Sequence, residues 1–247
     1  MRQSRSIMGM DVLLEIVAPV ADQALYEEIF SFLVSVDERF STYKETSEVQ
    51  RINRGEISRD AYSSDMQTIV ALAEDTAFAT DGYFSMRDPE GRFDPSGIVK
   101  GWAIQEASQR LWAAGIESFY LEIAGDIQTS GLSSEGKEWS IGIRNPFAHD
   151  EVVQVVYPRG AGVATSGTAA RGAHIYNPHV ADGIVTSPYC SLTVIGPNVY
   201  EADRFATPAF AMGDKGLTFI EALAGFEAYA IDKERMATMT SGFSAYT

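Results

Sequence analysis

The sequence predicts an α+β fold in which a mixed or antiparallel sheet is flanked by helices, built as one unit over residues 1–247. Three observations carry that expectation. Apolar residues recur at three- and four-residue spacing through most of the first half, whereas short runs of alternating polarity dominate from residue 119 onward. Helical spacing returns near the end, and segregation of this kind fits α+β better than a doubly wound parallel sheet, which would alternate strand and helix. No repeat, low-complexity tract or linker divides the chain.

In order, residues 11–17 read as a strand. Asp22 then caps a helix whose apolar positions Leu25, Ile29, Phe32, Leu33, Val36 and Phe40 form a core-facing stripe. Phe40-Ser41-Thr42-Tyr43 is a polar-aromatic bend. Ser47-Glu48-Val49-Gln50 has the capping-box pattern and opens a short helix that Asn53-Arg54-Gly55 ends. A helix over residues 64–80 buries Met66, Ile69, Val70, Ala73 and Ala77 until Asp81-Gly82 breaks it. Another spans residues 98–114, with Ser96 as its N-cap. Strands are expected at 119–127, 139–143, 152–157, 162–165 and 191–196, helices at 200–212 and 216–223, and final strands at 226–231 and 236–240.

Composition narrows the function classes. The formal charge of -15, with no basic run, argues against broad contact with nucleic-acid backbone or anionic lipid. The single cysteine, Cys190, excludes an intramolecular disulfide and any multi-cysteine zinc site, and its apolar neighbours suggest a buried strand position. No run approaches the roughly 18 apolar residues of a membrane span. The N-terminal residues lack a secretory pattern, so a cytoplasmic location is the expectation. P-loop, dinucleotide fingerprint, G-x-S-x-G elbow and H-E-x-x-H are all missing.

Four segments could carry chemistry. Asp94-Pro95-Ser96-Gly97-Ile98-Val99-Lys100 places a lysine at a helix N-terminus, an anion-binding corner, although the same residues would serve simply to stop one element and start the next. Asp203 and Thr207 are four apart on a predicted helix, so a carboxylate and a hydroxyl share one face and suit Mg²⁺; such pairs are also common on solvated helices. Residues 162–178 combine small residues and hydroxyls with His174, either an oxyanion loop with a base or a glycine-dependent hairpin with a structural histidine. Tyr43, Tyr83 and Phe84 could stack on a planar ring or rim the core. His149 and His179 take no role.

Together and in this order, these segments resemble the ApbE-type FAD:protein FMN transferases. The resemblance runs through Met8-Gly9, Phe40-Ser41-Thr42-Tyr43 with Ser47-Glu48, Asp81-Gly82-Tyr83-Phe84, the Asp94 to Trp102 stretch, the Trp139 to Pro146 stretch, Thr165-Ser166-Gly167, His174-Ile175-Tyr176-Asn177-Pro178 and the Ala202 to Thr207 stretch. It implies a single ApbE-like domain that uses Mg²⁺, or Mn²⁺, to cleave FAD. FMN would pass to a Thr or Ser hydroxyl of an acceptor flavoprotein, with release of AMP. It also implies that Asp203, Thr207 and the Gly97 carbonyl bind the metal. Met8, Tyr43, Tyr83, Phe84, Ser85, Asp94, Lys100, Thr165 and Ile175 would line the FAD site, and His174 would be the base. An FAD pyrophosphatase yielding FMN and AMP, and a non-catalytic FAD-binding protein, are the alternatives. Met10 replaces the family's usual Thr, Asn177 its usual Asp, and the segment 86–93 is short where relatives carry an insertion, which implies a reduced lid over the flavin.

Overall fold

The computed structural model describes residues 1–18, 23–168, 175–180 and 183–247. In chain order it contains β1 (Arg2–Ile7), β2 (Met10–Ile16), α1 (Gln23–Phe40), α2 (Glu48–Asn53), α3 (Ser64–Ala79), α4 (Ser96–Ala113), β3 (Phe119–Ile123), β4 (Asp126–Ser130), β5 (Ile141–Asn145), β6 (Ala148–Val156), β7 (Gly162–Gly167), β8 (Tyr189–Gly196), α5 (Val199–Ala211), α6 (Lys215–Glu221), β9 (Glu227–Asp232) and β10 (Ala237–Met239). Eight strands form one sheet in the order β1-β2-β3-β4-β7-β8-β9-β10, with β5 and β6 as a separate pair. Every pairing among the described residues is antiparallel, so the α+β expectation holds in its antiparallel form.

Alternation along the strands sorts the core into layers. Val12, Leu14 and Ile16 of β2 and Phe119, Leu121 and Ile123 of β3 pack under α1, α3 and α4. Ala164, Leu192, Val194, Ala228 and Ala230 continue that face beneath α5 and α6. Residues of opposite parity, Ile127, Val163, Ile195, Tyr229 and Ile231, face the other way, against Ile141, Ile143 and Val156 of the β5–β6 pair and Phe243.

Several local signals act as the sequence indicates. Ser47 accepts the Gln50 N–H at 3.0 Å, though the Gln50 amide turns to the Thr42 carbonyl, so one arm of the capping box forms. Asp81 at φ 49° and Gly82 at φ 78° end α3, with Gly82 N–H donating to the Ala77 carbonyl at 2.8 Å. Other expectations change. Ser96 lies inside α4; the N-cap is Pro95, and Asp94 Oδ1 accepts the Ser96 N–H at 2.9 Å, because a side-chain carboxylate two residues back can satisfy an orphan donor. Residues 119–127 are not one strand, since Ala124 at φ 50° and Gly125 at φ 90° fold them into the β3–β4 hairpin. Strand β1, rich in Arg, Gln and Ser, carries no apolar alternation strong enough to reveal it. Ala77 and Cys190 are half-buried rather than buried, and Asp22 lies outside the described residues.

One junction fixes α5 on the sheet. Gln128 of β4 is fully buried; its Oε1 accepts the Val199 N–H at 2.9 Å, and its Nε2 donates to the Gly160 carbonyl at 2.8 Å. Gly162 presses so closely on this point that a Cβ there would meet Val199 N at 2.0 Å. Gln128→Ala strands a buried helix donor and opens a cavity. It is expected to lower the unfolding free energy by about 2–4 kcal/mol, read from urea denaturation.

Candidate active site

The site grows from three elements that the sheet brings together. Helix α4 turns Lys100 and the backbone of Gly101 towards α5, and α5 presents Asp203 in return. Asp203 Oδ2 accepts the Gly101 N–H at 2.8 Å across 102 residues of chain. Lys100 Nζ lies 3.8 Å from Asp203 Oδ1 and 2.5 Å from Asp126 Oδ2 of β4. Asp126 is 1% exposed and Asp203 5% exposed, so a lysine sits between two carboxylates that have left water. Thr165 N–H donates to Asp126 Oδ1 at 3.2 Å, tying β7 to the same group.

Burial drives the Asp203 carboxyl well above the usual carboxylate range, and the Asp126 carboxyl pushes it the same way, while Lys100 and the Gly101 N–H oppose them. Asp126 Oδ2 makes no directed hydrogen bond, its contact with Lys100 being an ion pair. Two buried carboxylates, with the Thr207 hydroxyl one helical turn on from Asp203, offer hard oxygens of the kind Mg²⁺ takes, with few protein ligands. Among the described residues no group of three or more His, Cys, Asp and Glu forms a metal-holding set.

Around this centre, Phe84 is buried and its ring packs at Gly97, where a Cβ would lie 3.1 Å from Phe84 Cε2. The loop following α3 is closed by the Arg87–Phe93 bridge and by Ser85 Oγ, which donates to the Arg87 carbonyl at 3.0 Å. Tyr176 gives its hydroxyl to this loop at the Arg87 carbonyl, and the Tyr83 ring lies 4.3 Å from that of His179. Thr207 Oγ1 is 2.8 Å from Ser166 Oγ.

A model of the ApbE family matches residues 8–87 and 85–230. The chain belongs to the ApbE family. A protein of Vibrio cholerae named FAD:protein FMN transferase is 33% identical over 144 residues, covering 54% of this chain and 43% of its own length. One of Haemophilus influenzae with the same name is 26% identical over an alignment of 261 residues, covering 79% and 75%. The chain thus spans less than half of the Vibrio relative in that alignment. Among solved structures, a flavin transferase ApbE from Vibrio cholerae superimposes with a TM-score of 0.88 at 24% identity, covering 100% of this chain and 99% of that one. The ApbE protein from Thermotoga maritima gives 0.85 at 19% identity, covering 100% and 98%. These likenesses show that the chain has the ApbE fold. Among the described residues no helix is long and apolar enough to cross a membrane.

The ApbE fold brings together Lys100, Asp203 and the first turns of α4, with Phe84 beneath Gly97. Asp94 stands at the start of that helix. Tyr83 and Ser85 belong to the loop that Tyr176 and His179 hold, and Ile175 packs against the α5 core. Met8, at φ 57° in the β1–β2 turn, packs against the core, whereas Tyr43 is 92% exposed. Thr165 turns its hydroxyl to Thr193 at 2.8 Å on the opposite sheet face, so its N–H is what reaches Asp126. His174 lies outside the described residues. Asp126 is the site residue that sequence reading missed; a carboxylate after Ala124-Gly125 looks like a solvated turn, and only the alternation of Asp126 and Gln128 against Ile127 hints otherwise.

Gly101 is required by the closeness of α4 and α5, since a Cβ would lie 2.7 Å from Asp203 Cβ and 2.8 Å from Asp203 Oδ2. Gly101→Ala should therefore cost about 1–3 kcal/mol in chemical denaturation through overpacking, although alanine favours helix. An unchanged or higher stability would show that the two helices part without cost.

Proposed function

We propose that the chain is a Mg²⁺-dependent FAD:protein FMN transferase. It cleaves the diphosphate of FAD, passes FMN to a Thr or Ser hydroxyl of an acceptor flavoprotein and releases AMP. Membership of the ApbE family and the names of the relatives support the reaction class. The observation that carries the reading is the buried meeting of Lys100, Asp126, Asp203 and the Gly101 N–H. Two buried carboxylates and a buried N–H, met by a lysine that keeps one side to solvent, are costly in a merely structural role and suited to a polyanionic substrate.

In this reading Asp203, Thr207 and the Gly97 carbonyl hold the metal. By helix geometry the Gly97 carbonyl faces the Gly101 N–H, the group that Asp203 also engages, so carbonyl and carboxylate converge there. Bound Mg²⁺ supplies charge neutralisation and Lewis-acid polarisation of the diphosphate; Mn²⁺ shares the same oxygen preference. Lys100 holds Asp126 and Asp203 in place and adds positive potential at the α4 N-terminus, where unpaired N–H groups favour a phosphate. Phe84, which packs at Gly97, would receive the flavin half together with Tyr83 and Ser85 of the same loop. The acceptor oxygen forms the new bond to the FMN phosphorus as the bond to AMP breaks, and the hydroxyl proton passes to His174.

Incubation with FAD, Mg²⁺ and an acceptor domain should yield AMP and covalently flavinylated acceptor. AMP with free FMN alone would identify a pyrophosphatase, and FAD binding without AMP a flavin carrier. Asp203→Asn removes a metal-binding carboxylate at nearly constant volume and should reduce AMP release about 1000-fold or more. Undiminished turnover would refute the metal assignment.

A further inference from the structure

Thr207 does not use its hydroxyl as Thr68 and Thr76 of α3, and Thr80 at the C-cap of that helix, use theirs. Thr68, Thr76 and Thr80 each donate to the carbonyl four residues back, at 3.0, 2.7 and 2.7 Å. For Thr207 that carbonyl would be Asp203's, but its Oγ1 instead meets Ser166 Oγ at 2.8 Å. Ser166 is 8% exposed and shares a sheet face with Ala164, which packs beneath α5, so its hydroxyl is aimed at the helix by strand parity. Thr165 has the opposite parity and bonds Thr193 behind the sheet. The chain thus brings a buried hydroxyl across from β7 to meet Thr207.

A hydroxyl has one proton and two lone pairs. When Thr207 gives its proton to Ser166, both Oγ1 lone pairs are left for a hard cation and the rotamer is fixed. When the proton goes the other way, one lone pair is consumed. We infer that Ser166 is a positioning residue that accepts the Thr207 proton and thereby sets Thr207 Oγ1 as a metal ligand. The inference rests on the transferase reading, through the assignment of Thr207 to the metal. Partners that orient a ligand in this way are typically worth 10–100-fold in metal affinity.

The test is calorimetric titration of the purified chain with Mg²⁺, with Mn²⁺ electron paramagnetic resonance as a second readout, on a double-mutant cycle. Ser166→Ala should weaken the affinity about 10- to 100-fold, while Ser166→Thr, which keeps the hydroxyl, should stay within about threefold of the native chain. In a Thr207→Ala background, Ser166→Ala should have no further effect, because the group it positions is gone. If Ser166→Ala does not fold, Ser166→Cys, of similar volume but a weak acceptor, carries the same expectation. Native affinity in Ser166→Ala, or an equal loss in both backgrounds, would overturn the role of Ser166 while leaving the transferase reading standing. Failure of the native chain to bind either cation would overturn both.

Discussion

The structure turns on the contact between Asp203 and the Gly101 N–H. A carboxylate that has left water must be compensated, and here the compensation comes from another helix, another charge and a strand. Lys100 reaches Asp203 and Asp126 together, and Asp126 is in turn held by the Thr165 N–H. Removing any one of these groups leaves the others buried and unbalanced, which is why such a cluster fixes geometry more firmly than it adds stability. The glycine at 101 and the buried glutamine at 128 serve the same end, one allowing α4 to approach and the other setting where α5 begins.

Strand β4 carries both functions in five residues. Its helix-facing positions are Asp126 and Gln128, polar where a sheet face would ordinarily be apolar, and its other face offers Ile127 to the β5–β6 layer. The polar pair is tolerable because each member has partners on α4, β7 or α5, so the strand exchanges hydrophobic contact for control of helix position.

Much of this was legible in the sequence. Helical periodicity locates α1, α3, α4 and α5, and the four-residue spacing of Asp203 and Thr207 correctly sets them on one helix. Ser47 announces its cap, and Lys100 its place at a helix start. What stayed hidden depends on register. Asp126 becomes a buried partner of Lys100 only because Asp126 pairs with Ile123, which turns its side chain toward α4, and nothing local distinguishes it from a turn aspartate. Ser166 sits among small residues whose alternation is too faint to show which hydroxyl faces a helix. Strand β1 is concealed by its polar composition and becomes a strand through pairing with β2.

The separation of Gly101 from Asp203 along the chain has a consequence for the order of events during synthesis. Strand β7 joins β4 across the intervening β5–β6 pair, and α5 docks only after β8 has paired with β7. Contacts of such long sequence separation close late. The carboxylate that completes the cluster is therefore the last of its charged members to be synthesised. A chain still short of α5 has Lys100 and Asp126 but lacks the contact with Asp203 that completes the centre.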